Sequence, residues 1–206
     1  MSDGMGWTRR VTTKPLLFID IETNLTHDRL WCIAITDEDG VSKTYVDGEY
    51  HLLPDVNDYI FVAHYGMNFD FPKLKELIGY DIPLANRFDT ILLSKVVDCN
   101  VEGGHSLRNL AARNGRELKQ DFDKEQFEIG LSAEMLEYCV QDTVALRSVY
   151  RSLFQKLNQM GAANVEAFLE MEHRVRDLTN QQTNHGFKLD VEACTNLYTD
   201  LACHTA

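Results

Sequence analysis

Leu16-Leu17-Phe18-Ile19-Asp20-Ile21-Glu22 is an apolar run that closes on two acids. Side chains alternate across a strand with a period of two, so the stretch reads as a buried β-strand with Asp20 and Glu22 on one face. Both carboxylates then reach the same point. Tyr59 to His64 is a second apolar run, and the loop after it ends at Asp70, at the head of a helix-like stretch with Phe71, Leu74, Leu77 and Ile78. Asp70 stands two residues before Pro72, which is also the pattern of a helix N-cap; a cap and a ligand are compatible roles. Between Ser132 and Leu157, residues Leu136, Cys139, Val140, Leu146, Val149, Leu153 and Leu157 recur at helical spacing. Tyr138 and Asp142, four apart, then share one helical face.

Acids that converge in one pocket repel each other unless a cation joins them. Magnesium and manganese are hard ions that prefer oxygen, and magnesium is commonly held by a few carboxylates, waters and substrate phosphate. Two such ions roughly 3.5 to 4 Å apart can hold the attacking water and the leaving oxygen of an in-line displacement at phosphorus. A phenol beside them can orient the water. Asp20, Glu22, Asp70, Tyr138 and Asp142 are therefore the candidate catalytic residues, and the four acids the candidate ligands of two divalent ions, Mg2+ or Mn2+. Singly, each piece has a bland reading. An Asp-x-Glu after a strand is often a solvated turn start, and a tyrosine at helical spacing is more often a packing residue. The signal is their joint order on suitable elements.

That order, Asp-x-Glu, Asp, Tyr-x-x-x-Asp, resembles the DEDD family of 3'-to-5' exonucleases, tyrosine subclass. More closely, it is similar to the exonuclease domain at the N-terminus of phage-type family A DNA polymerases. Further motifs carry the likeness: Ala63-His64, Asp89-Thr90 followed by Leu93-Ser94, His105-Ser106-Leu107, and the string Tyr138-Cys139-Val140-Gln141-Asp142-Thr143. Glu172-His173-Arg174 through Asn184-His185-Gly186-Phe187-Lys188-Leu189-Asp190 resembles the helical segment with which such polymerases enter their polymerising half.

The resemblance implies an α/β fold, a ribonuclease H-like mixed sheet flanked by helices, with a C-terminal helical segment. It implies removal of nucleotides from DNA 3' ends, as a proofreading module. By the same likeness Asp20, Glu22 and Asp142 would hold the ion beside the attacking water, while Asp70, with Asp20 bridging, would serve the second. Tyr138 would contact the water. Thr23, Asn24 and Leu25 would line the place of the terminal nucleotide, with Leu25 as a wedge, and His64 and Asn68 would be the substrate contacts near the second motif. The chain departs from the family in two places: where an Asn usually stands four or five residues before the second-motif Asp it has Gly66 and Tyr65, and the Leu wedge that usually follows the first Asp by six or so residues is here Leu25, at five.

The chain has 206 residues, of which 44% are hydrophobic, enough for one packed domain with a helical appendage. The expected division is an N-terminal extension over 1–15, the exonuclease domain over 16–160 and a helical segment over 161–206. A hairpin is expected from Trp31–Thr36, the turn Asp37-Glu38-Asp39-Gly40 and Ser42–Val46. From Asp89 onward the chain is expected to be helical, broken at Glu102-Gly103-Gly104, with a helix from Ser106 to about Arg113. A surface insertion with Phe122 and Phe127 is expected over Gln120–Gly130. No segment approaches the roughly 20 apolar residues of a membrane span, and no signal peptide precedes the first strand. The expected location is cytoplasmic, in a phage-infected bacterial host. The five cysteines, Cys32, Cys99, Cys139, Cys194 and Cys203, lack Cys-x-x-Cys spacing and read as reduced thiols.

A net charge of −12 argues against broad phosphate binding. A site loaded with two divalent ions is nevertheless locally positive, and a module gripping a few nucleotides of a single strand needs few cations. The basic residues cluster at Lys95, Arg108, Arg113, Arg116 and Lys119, so this segment, Arg108 and Arg113 above all, is expected to meet the strand's backbone.

After Asp190 the chain runs only to Ala206, too short for a polymerase palm, and Val191 to His204 has the pattern of a helix that packs through Leu197, Tyr198 and Leu201. The expected partner is the remaining polymerase region or a polymerase subunit. Two other readings stay open: an RNA-trimming exonuclease of the ribonuclease D kind, which shares the five site residues and differs in admitting a 2'-hydroxyl, and a non-catalytic module that binds nucleic acid or a replisome partner.

Overall fold

The computed structural model describes residues 14–115, 126–161 and 165–204. Strand β1 (Leu16–Thr23) is the centre of a five-stranded mixed sheet. On one side it pairs antiparallel with β2 (Leu30–Asp37), which pairs antiparallel with β3 (Ser42–Val46). On the other it runs parallel to β4 (Ile60–Ala63), which is parallel to β5 (Arg87–Asp89). The spatial order is β3-β2-β1-β4-β5. The hairpin turns where Asp and Gly were expected to turn it: the Gly40 amide donates to the Asp37 carbonyl and Gly40 takes φ +93°.

Helices cover both faces. These are α1 (Asp70–Ile78), α2 (Thr90–Val97), α3 (Leu107–Arg113), the single turn α4 (Gln126–Ile129), α5 (Ala133–Met160), α6 (Val165–His185) and α7 (Val191–His204). Because β1 is buried on both sides, it reads as a nearly continuous apolar run. Its odd positions Leu17, Ile19 and Ile21 pack with Phe71 and Leu74 of α1. Its even positions Leu16 and Phe18 pack with Leu146, Val149, Tyr150 and Leu153 of α5. Asp20 and Glu22 continue the even face, on the side of α5.

Helix α5 begins where Ser132 caps it, its hydroxyl accepting from the Met135 amide at 3.1 Å. A buried hydroxyl pair, Thr36 to Thr143 at 2.6 Å, ties α5 to β2. Helix α6 packs on α2 and buries Leu169 and His173, whereas Leu197, Tyr198 and Leu201 of α7 are exposed. Strand β5 was not anticipated: at three residues it is too short to show a period. The first 13 residues of the N-terminal extension, Arg116, Lys119, Phe122 and the side chain of Phe127 lie outside the described residues. Among the described residues no helix is long and apolar enough to cross a membrane, and the five cysteines are free thiols.

The loop between β4 and α1 is held by close packing at Gly66. A β-carbon there would lie 2.3 Å from that of Ala63 and 3.1 Å from the Phe71 ring. Gly66→Ala should therefore destabilise the protein by about 1 to 3 kcal/mol, the usual range for overpacking, measured by urea denaturation. An unchanged midpoint would mean that the loop is free to move away.

Candidate active site

Three separate elements deliver the acids to one end of the sheet. Asp20 and Glu22 come from the last turn of the pleat in β1, just before its pairing with β2 slips by one residue between Glu22 and Thr23. Asp70 is the first residue of α1 and is buried. Tyr138 and Asp142 come from the second and third turns of α5, one helical turn apart. Their electrostatics show that they have converged. Burial pushes Asp20 well above the usual carboxylate range, and the charges of Glu22, Asp142 and Asp70 push it further. Glu22 is raised to about 9 by burial first, then by Cys32, Asp142 and Asp70. Burial raises Asp70 to about 7, with Asp89 and Asp142 adding to it, while the amides of Asp70 itself and of Ile21 hold it back. Asp142 reaches about 6, because burial outweighs the Tyr138 hydroxyl that donates to it and the nearby Arg108 charge. The Tyr138 phenol is itself pushed up, by burial and then by Asp142, Glu22 and Asp20, so it carries its proton at neutral pH.

Such a set of acids, Asp70 buried and the other three half-buried, drawn together with few cations to oppose them, has the donor chemistry of a hard divalent-ion site. Ligand atoms of Asp20, Glu22 and Cys139 all lie within 4.8 Å of one another. Cys139 was anticipated only as a core thiol. Its Sγ stands 3.5 Å from both the backbone oxygen and Oδ2 of Asp20, so it backs the carboxylate from the α5 side. Its place between Tyr138 and Asp142, on the buried edge of the helix, was the available signal.

Asp70 is not a cap: Phe69 holds that position, and no side-chain bond is made from it. The residue that organises the second-motif loop is Asp89. Its Oδ1 accepts from the amides of Tyr65 and Ile91, both at 2.9 Å, and its Oδ2 accepts from the amide of Met67 at 3.0 Å. One carboxylate thus caps α2 and holds the loop leading to Asp70. That loop is strained, because Tyr65 sits at φ +65°, a left-handed conformation that costs a bulky residue roughly 1 to 2 kcal/mol. The Asn usual near this position tolerates that backbone better.

The predicted substrate contacts divide. Leu25 is 48% exposed beside the site loop, and its amide donates to Glu128 of α4 at 2.9 Å, so the described end of the expected insertion meets the β1–β2 loop. Asn24 is used by its own loop: its Nδ2 donates to Asp28 and Thr26, and its Oδ1 accepts from the amides of Asp28 and Arg29. Thr23 is buried, with its hydroxyl 2.8 Å from Nδ1 of His27. His64 has no free nitrogen for a substrate. Its Nε2 donates to the His105 carbonyl and its Nδ1 meets the Thr90 hydroxyl, each at 2.8 Å, so it braces β4, α2 and the approach to α3. Burial pushes its pKa down and keeps it neutral. Asn68 points at Asn180 of α6, to which its Nδ2 donates at 3.2 Å. Arg108 and Arg113 are exposed on α3, and only Arg108 is recorded acting on a site acid.

Residues 19–158 match the family described as 3'-5' exonuclease, of the kind found in type A DNA polymerases. The chain belongs to this 3'-5' exonuclease family. It is 26% identical to the DNA-directed DNA polymerase of Enterobacteria phage T3, over 79% of this chain and 32% of that protein. It is 28% identical to DNA polymerase I of Aquifex aeolicus, over 91% of this chain and 35% of that protein. The chain thus spans about a third of the length of these curated relatives. Among solved structures, the family B DNA polymerase of the archaeon Pyrobaculum calidifontis superposes with a TM-score of 0.51 at 13% identity, covering 69% of this chain and 25% of that one. The fold is the ribonuclease H-like exonuclease fold, and the protein is a 3'-5' exonuclease related to family A DNA polymerases.

The raised acids give a pH test. In the unfolded chain carboxylates titrate near pH 4, whereas in the fold Asp142, Asp70 and Glu22 titrate at about 6, 7 and 9. Between those limits the folded state binds more protons, so stability falls as pH rises. In EDTA the melting temperature should drop from pH 5 to pH 9. Added Mn2+ should restore more of it at pH 8 than at pH 6, because ligands must first lose their protons. A flat melting temperature across this window would mean that the acids are solvated and apart.

Proposed function

We propose that this chain hydrolyses single-stranded DNA from the 3' end, one nucleotide at a time, as the proofreading module of a family A, phage-type DNA polymerase. The observation that carries the reading is the convergence of Asp20, Glu22, Asp70 and Asp142, with the Tyr138 phenol beside Asp142, Glu22 and Asp20. The all-oxygen donor set fits Mg2+ or Mn2+, with Asp20, Glu22 and Asp142 holding one ion and Asp70 with Asp20 the other. When bound, the two ions would neutralise charge on the scissile phosphate and make a nucleophile available at neutral pH.

The chain's own residues do the rest. The Tyr138 phenol, kept protonated by burial and then by its acidic surroundings, donates to Asp142 and orients the attacking water. Leu25, exposed on the rim, separates the terminal nucleotide from its neighbour, while the Thr23 and Asn24 side chains keep the loop beneath it in shape. Arg108 lies beside Asp142, where a cation meets both the site and the incoming strand, and Arg113 extends the same helix. The relatives' length supports a larger polymerase, or a polymerase subunit, as the partner.

The deciding assay follows 5'-labelled DNA and RNA oligonucleotides with Mg2+ or Mn2+. We expect a DNA ladder shortening from the 3' end. Asp20→Ala should lower the rate on the order of a thousand-fold, equivalent to about 4 kcal/mol. Tyr138→Phe should cost roughly ten- to a hundred-fold, as for loss of a positioned proton-handling group. Preferential cleavage of RNA would transfer the chain to the ribonuclease D kind, and undiminished activity in Asp20→Ala would remove the two-ion assignment.

Arg108→Ala should raise the KM for single-stranded DNA and lower the slope of log affinity against log salt by about one. An unchanged salt slope would take Arg108 out of the strand's path.

A further inference from the structure

Helix α6 lies beyond residue 158, where the family match ends, yet one of its faces reaches the elements that carry the candidate site. His173, Asp177 and Asn180 stand at i, i+4 and i+7, so they form one stripe. His173 Nε2 accepts from the Asp89 amide at 2.8 Å, while its Nδ1 donates to the Leu169 carbonyl at 2.7 Å, which sets the neutral tautomer. Asp177 faces Arg87 of β5 at 3.8 Å. Asn180 donates from Nδ2 to the Met67 carbonyl at 2.6 Å and accepts from Asn68 Nδ2 at 3.2 Å.

These contacts close a circuit. Asp89 holds the amides of Tyr65 and Met67, and α6 holds Asp89 through His173. Through Asn180, α6 also grips Met67 and Asn68 from the other side. The loop in question carries a left-handed Tyr65 and ends at Asp70. Strained backbone persists only where its surroundings over-determine it. Asn68 adds to the need, because its Oδ1 is buried with no hydrogen-bond partner among the described residues, while its Nδ2 donates to Asn180.

We infer that α6 is part of the hydrolytic machinery and that Asn180 is a positioning residue: it fixes the loop 65–69 and, through it, the Asp70 carboxylate. This rests on the two-ion reading for its catalytic consequence, while the mechanical link is testable without it.

The experiment compares wild type, Asn180→Ala and Asn180→Asp in the full chain by two readouts. The first is amide hydrogen exchange of the metal-free protein. Asn180→Ala should lose protection at Met67, Asn68 and Phe69 by roughly tenfold while the β1 amides keep theirs. Asn180→Asp, which still accepts from Asn68 but sets a carboxylate oxygen against the Met67 carbonyl in place of the donated bond, should lose at least as much. The second readout is the Mn2+ dependence of DNA hydrolysis. Asn180→Ala should need about fivefold more Mn2+ for half-maximal rate and recover most of the wild-type rate at saturation, because a displaced ligand weakens ion binding before it abolishes turnover. Unaltered loop exchange would overturn the link outright. Altered exchange with an unchanged Mn2+ requirement would reduce Asn180 to a structural contact and overturn its positioning role. A wild-type chain that hydrolyses nothing but shows the exchange effect would fail the proposed function while upholding the mechanical link. His173 is too deeply packed to serve as the primary variant, but His173→Gln, which keeps an acceptor for the Asp89 amide, should fall between wild type and Asn180→Ala in loop protection.

Discussion

Like charges held out of water repel, and this fold is arranged around keeping several of them together. A buried carboxylate loses hydration and gains its neighbours' repulsion, and both effects favour the protonated form. Asp20 experiences both most strongly, since it lies between Glu22, Asp142 and Asp70. Nothing local could hold such a group in place. It is held because β1 is the central strand, packed on both faces, paired with β2 from Leu17 to Thr23 and anchored to β4 through Leu16, Leu17 and Phe18. The hydrophobic contacts of Phe18 with α5 and of Ile19 with α1 are what make the acidic cluster possible.

A second layer of polar bracing works at the same end of the sheet. His64 spans from β4 to Thr90 and the His105 carbonyl, and His105 Nδ1 in turn meets the Ser94 hydroxyl at 2.8 Å. Asp89 gathers three amides with one carboxylate. Each of these groups is buried or half-buried, where an unpaired polar atom would cost about 1 to 3 kcal/mol, so the network tolerates little rearrangement. His64 serves as a neutral strut with both nitrogens engaged, in the vicinity of the site without being free to bind.

Periodic features were legible in the sequence. The alternation of β1, the Asp-Gly turn of the hairpin and the apolar stripe of α5 all express local rules that hold regardless of tertiary context, and α7 spans Val191–His204 as its pattern implied. The ordered motifs named the acids that the fold draws together. What was not legible depends on distant partners. Strand β5 exists because β4 offers it an edge, and three residues carry no period of their own. Asp70 looked like a cap from its spacing to Pro72, but Phe69 occupies the cap position and Asp70 begins the helix. His64 and Asn68 sit in the right loop for substrate, yet their polar atoms turn to Thr90, His105 and Asn180, residues 26 to 112 positions away. Asp89 was legible only as part of the Asp89-Thr90 motif, and its hold on Tyr65 and Met67 comes from the folded chain.

The two faces of β1 belong to different cores. Asp20 and Glu22 meet Asp142 on the α5 side, whereas Asp70 belongs to α1, which packs against the opposite face. The carboxylates therefore come into register only when both layers have docked on the same strand, across sequence separations of about 50 residues to Asp70 and more than 100 to α5. Contacts so distant in sequence close slowly, since loop entropy is lost before they reward it. The complete set of acids is thus a property of the whole fold and of neither layer by itself: a chain in which α1 or α5 has not docked on β1 lacks part of it.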